Sequence, residues 1–247
     1  MVWYLVGGRR GAAVACAVLV SVAAAGCAQT VPGTPVAQVG SVEIAPPAVS
    51  RSDRQHDPAI PAELALPPER FPARYPAVSL PAHAVARAGP DLTGVPAGAR
   101  VDPPGCLPPE QDYGPAGTAM VVGTDEKSRA TLTVEVVVGA APLVELAAHL
   151  AECDAVQATH RGITATVTTQ READPPAPVD GIGTLALART VDSGSDDAQV
   201  TRRLQTRVAQ SGDIRILVTY MVFDRAVSDP EGLGAVFRDA VTYALTE

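Results

Sequence analysis

Few of the side chains able to do distinctive chemistry stand at the spacings that chemistry requires. Cys106, His149, Cys153 and His160 supply both residue types that ligate zinc. The six residues between Cys153 and His160 do not match the short ligand spacings of zinc sites, so no metal site is expected. Glu145 and His149 stand four apart, the ordinary spacing of a pair on one helix face. Ser195 lies in Gly194-Ser195-Asp196, without the G-x-S-x-G of a hydrolase elbow. Gly181-Ile182-Gly183-Thr184 is too short for a nucleotide loop and leads into a strand rather than a helix. Asp192, Asp196 and Asp197 cluster without the twelve-residue pattern of a calcium loop. Arg202, among Val200, Leu204 and Val208, either snorkels at a sheet edge or faces a ligand groove. No catalytic, cofactor or metal residue is therefore assigned, and no enzyme activity is expected.

The elements that would position these residues begin after an N-terminal targeting segment. Arg9 and Arg10 precede the apolar run Gly11 to Ala25, which ends in Ala24-Ala25-Gly26-Cys27. A basic patch, an apolar run and small residues before a cleavage point mark a secretory signal. Fifteen helical residues rise only about 22 Å, short of the roughly 30 Å hydrocarbon layer, which argues against a permanent span. The small residues ending at Gly26-Cys27 resemble the bacterial lipoprotein signal, whose cysteine is acylated and becomes the first mature residue. The resemblance implies residues 1–26 as signal peptide and lipidated Cys27 as a palmitate-type membrane anchor. More than one acyl chain makes such attachment firm.

Beyond residue 26 the chain carries 17 basic and 27 acidic side chains, a formal charge of −10. That surface repels phosphate backbones, and no basic cluster offsets it, so nucleic acid is not an expected partner. With Cys27 acylated, Cys106 and Cys153 are left as one pair, expected to form a disulfide in an oxidising compartment.

Between Cys27 and Glu110 lie 17 of the 23 prolines. Proline removes a backbone donor and restricts its predecessor, which rules out a continuous helix or a central strand there. Residues 27–68 read as a disordered tether, and residues 69–247 as a single extracytoplasmic domain. Phe71 to Cys106 is expected to pack on it as an irregular leading segment containing a short strand.

Inside the domain, period two predicts strands over Thr118–Val122, Thr131–Val138, Ile163–Thr169, Thr184–Val191, Val200–Ala209 and Asp213–Phe223. The last is apolar on both faces and so should be central and covered on both sides. Pro142 suits the first turn of a helix to about Cys153, with Leu143, Leu146, Ala147 and Leu150 as its stripe. A C-terminal helix capped by Asp229 or Ser228 carries Leu233, Val236, Phe237, Ala240, Val241 and Ala244 at the 3.6 period. The expected fold is α+β, a mainly antiparallel sheet of about five or six strands with two packed helices.

Gly26-Cys27 with the proline-rich arm, Pro103-Pro104-Gly105-Cys106, and Glu152-Cys153-Asp154 followed by Gly162 resemble a mycobacterial lipoprotein family carrying a conserved domain of unknown function. More distantly, the domain resembles the extracellular sensor domain of PknH-type serine/threonine kinases. The resemblance implies a lipid-anchored protein on the extracytoplasmic face of the cell membrane, and a monomer is expected. Export, acidity and the absence of catalytic motifs point to a ligand-binding or sensor-like accessory role, with a lipid, a glycan or another envelope protein as the partner. A purely structural or protein-interaction role is the alternative.

Overall fold

Two runs of alternating residues, Thr131–Val137 and Ile214–Phe223, pair in register as the third and fourth strands of a nine-stranded, wholly antiparallel sheet. The computed structural model describes residues 60–194, 199–223 and 228–246. In chain order its strands are β1 (Ala77–Ser79), β2 (Arg100–Asp102), β3 (Thr118–Thr124), β4 (Thr131–Val137), β5 (Ala155–His160), β6 (Ile163–Glu172), β7 (Gly183–Ser193), β8 (Val200–Ser211) and β9 (Ile214–Phe223). The helices are α1 (Pro61–Leu64), α2 (Ala82–Leu92), α3 (Leu143–Glu152) and α4 (Pro230–Thr246). Strand order is β1-β3-β4-β9-β8-β7-β6-β5-β2.

Five or six strands and two helices therefore understate the fold, which has nine strands and four α-helices among the described residues. The additional elements are short or lack strong patterning. β1 and β2 have three residues each and come from the proline-rich leading segment. They occupy the two outer edges of the sheet, where proline-flanked chain is tolerated. β5 points Val156 and Ala158 inward, a signal too weak to stand without its partners β2 and β6. The turn joining β5 to β6 has Arg161 at φ 49 and Gly162 at φ 82, matching the twist of a two-residue hairpin.

β9 lies between β4 and β8 and is covered on both faces, as its two apolar sides require. On one face Ile216, Val218 and Tyr220 join Val134 and Val136 against Val236, Phe237 and Val241 of α4. Each fully buried side chain of this size contributes roughly 1.5–3 kcal/mol. Ala65 and Leu66, just after α1, are buried in the same cluster, so packed chain begins ahead of residue 69. Asp229 caps α4: its Oδ1 accepts from the Gly232 amide at 2.8 Å. The opposite face meets α2, α3 and the segment between β2 and β3. Among the described residues no helix is long and apolar enough to cross a membrane.

Candidate ligand groove

Cross-strand partners share a face, so the register places the polar residues of the second face. Glu135 stands opposite Leu217, Arg215 opposite Val137, Thr219 opposite Thr206, and Arg189 opposite Thr169. All lie on the side away from α4. Together with the end of α2, α3 and residues 108–113 they enclose a groove of about 210 Å³. Its floor is apolar where Leu187, Val208 and Leu217 contribute, and Leu146, His149 and Leu150 of α3 roof it. Leu143, Leu146, Ala147 and Leu150 do form the apolar stripe of α3, yet none is fully buried. The helix packs on the buried Leu185, Leu187 and Val208, and Leu146 and Leu150 also face the open volume.

At one end sits a buried carboxylate. Glu135 is 5% exposed, and its Oε1 accepts from Gln111 Nε2 at 2.6 Å. Burial raises its pKa to about 7, against the opposing effects of the Gln111 hydrogen bond and the Arg215 charge. Arg215 donates from Nε to Gln210 Oε1 at 2.8 Å and from Nη2 to the Ala141 carbonyl. Gln111 also donates to Thr118 Oγ1, whose hydroxyl donates to the Asp112 carbonyl at 2.6 Å. These bonds latch the 108–113 segment onto the sheet. Burial, and then the Glu135 charge, push the Tyr113 phenol well above its ordinary range. Its ring lies against Gly89 of α2, where a Cβ would fall 2.1 Å from Cε1. Only glycine permits that approach.

At the other end is Arg189, whose Nε donates to Thr169 Oγ1 at 3.1 Å and whose Nη1 donates to the Leu92 carbonyl at 2.9 Å. Burial lowers its pKa to about 10. Thr206 and Thr219 share a hydrogen bond at 3.0 Å between the two ends.

Cys106 and Cys153 are joined by a disulfide. It ties the 3-10 turn Pro104–Cys106 to the end of α3, and both residues line the groove. The two sulfurs of the imagined zinc set are thus bonded to each other, and among the described residues no three His, Cys, Asp or Glu side chains gather to hold a metal. His149 lines the groove from α3, whereas its sequence neighbour on that face, Glu145, is exposed. His160 ends β5, and Arg202 sits on the groove face of β8 outside the lining. Asp192 Oδ1 accepts from Thr201 Oγ1. Gly181 takes a turn at φ 79 just before β7. Cys27, Ser195, Asp196 and Asp197 lie outside the described residues. Sequence reasoning did not single out Glu135, Arg189 or Arg215. Their one signal is a charge set in a long strand whose flanking residues are strongly apolar.

No family model matches the chain, and no curated protein matches it. Among solved structures it is similar to the extracellular domain of PknH from Mycobacterium tuberculosis, at 16% identity and a TM-score of 0.41, over 74% of this chain and 98% of that one. It is also similar to an uncharacterized protein from Mycobacterium smegmatis, the Rv0999 ortholog, at 17% identity and a TM-score of 0.39, over 71% and 92% of the two chains. The distant resemblance read from the sequence is met again in the fold comparison.

Proposed function

We propose that this chain is a lipid-anchored extracytoplasmic protein of the cell envelope that binds a small ligand in the groove beneath α3. The observation that carries the reading is the groove beside α3, where Leu146 and Leu150 of its apolar stripe face Leu187, Val208 and Leu217 across open volume with Glu135, Arg189 and Arg215 in the same lining. Apolar walls disfavour water, and a few fixed polar groups within them are the usual make-up of a ligand site. The disulfide supports export to an oxidising compartment. The Gly26-Cys27 junction behind its apolar run supports the anchor.

The test is native mass spectrometry of the full-length protein isolated from its own envelope. The expected result is an acylated N-terminal peptide beginning at Cys27 and one small molecule per chain that is lost on denaturation. An unliganded chain that crosslinks through α3 to one stoichiometric protein would replace this reading with the protein-interaction one.

A further inference from the structure

The two ends of the groove differ in charge balance. Arg215 is close enough to Glu135 for the two charges to act on each other, and it also has two oxygen acceptors. Arg189 has no carboxylate within ion-pair distance among the described residues. Its acceptors are a hydroxyl and a carbonyl, both neutral, and its Nη2 makes no hydrogen bond to a described residue. The carbonyl belongs to Leu92, the last residue of α2, where the helix dipole supplies about half a negative charge. Arg189 is thus a half-buried cation lining the groove, with neutral acceptors on Nε and Nη1 and no carboxylate opposite it among the described residues. Its stem passes close to Gly94, where a Cβ would come within 3.2 Å of Arg189 Cδ. From this end the floor runs through Leu187 toward Leu217, under Leu146 and Leu150.

We propose that the groove takes a monocarboxylate with an apolar body, of the fatty-acid type, its carboxylate on Arg189 and its chain lying beneath α3. The inference rests on the reading of the groove as a ligand site and adds the head group and its charge. One unbalanced positive charge matches one negative charge. A phosphate monoester brings a second charge into a groove that already holds Glu135, with one donor group left to meet it. A neutral alcohol leaves the cation unpaired.

Calorimetric titration of the full chain, with Cys27→Ser to remove the acylation site, distinguishes these cases using decanoate, decanol and decyl phosphate below their aggregation limits. Decanoate is expected to bind about tenfold or more tightly than either of the others, as a charge-assisted hydrogen bond provides. Arg189→Met is expected to abolish the preference of decanoate over decanol. Because Arg189 also holds the end of α2, a second readout uses unmutated Arg189: the carboxyl carbon resonance of bound decanoate should titrate at lower pH than that of free decanoate. Equal affinity for decanol would overturn the head-group assignment while keeping the groove as a ligand site. Tighter binding of decyl phosphate would overturn the single-charge argument. Binding of none of the three would sink the inference, and the retained native ligand would then decide the broader reading separately.

Discussion

The Tyr75 phenol donates to Asp229 Oδ2 at 2.7 Å, joining the leading segment to the first turn of α4 across 154 residues of sequence. Tyr75 is 1% exposed and packs edge-on against Tyr220, with ring centroids 6.5 Å apart. Arg74 beside it donates to Asp125 Oδ2 at 2.9 Å and reaches Asp229 Oδ2 at 3.3 Å. The chain ahead of the main sheet thus clamps the β3–β4 turn and the α4 cap together. Asp229→Ala removes both the cap and the acceptor for Tyr75. It should lower stability by about 2 kcal/mol, read as a shift in the urea midpoint at unchanged slope. Tyr75→Phe in that background should add little further loss, because its partner is already gone.

Reduction should loosen the groove before it unfolds the sheet. The disulfide spans 47 residues, and closing a loop of that length removes denatured-state entropy worth about 4 kcal/mol. Cys106→Ser with Cys153→Ser should lower the melting temperature. Hydrogen exchange should then show the largest loss of protection at the 3-10 turn and the end of α3.

Glu135 makes stability depend on pH. Its folded pKa of about 7 lies above the 4.5 of the unfolded chain. Below the lower value both states hold the proton and the group is neutral in effect. Between the two values the unfolded chain releases the proton while the folded chain keeps it, so stability falls as pH rises. Above the higher value the loss levels off at roughly 3 kcal/mol. Glu135→Gln should flatten this slope in denaturation curves collected from pH 4 to pH 8.

Gly89→Ala tests the packing of Tyr113. Helix propensity alone would make the alanine more stable by about 1 kcal/mol. The new Cβ would fall 2.1 Å from the ring, so Tyr113 must move and the variant should instead be less stable. A higher melting temperature would mean that the ring does not rest on α2.

Local pattern carried much of this architecture. The alternation of Thr131–Val138 marked a strand, and the two-faced apolarity of Ile214 to Phe223 placed that segment inside the sheet, because burial on both sides leaves few other positions for it. α4 was legible from Asp229, Pro230 and the 3.6 period, since capping and amphipathicity are properties of contiguous residues. The pairing of Cys106 with Cys153 followed from elimination once Cys27 was set aside. Other elements were decided by tertiary contacts. β1, β2 and β5 owe their strand character to the partners they pair with, and α2 lies in a proline-rich stretch that reads as irregular chain. The groove was invisible for the same reason. Glu135 sits on the face that the β4 alternation marks as polar, and only the docking of α2, α3 and residues 108–113 turns that face into an interior. Arg189 and Arg215 became site residues when the sheet register put them on that face. Register and docking are set by energies summed over residues far apart in the chain, which no window of sequence contains.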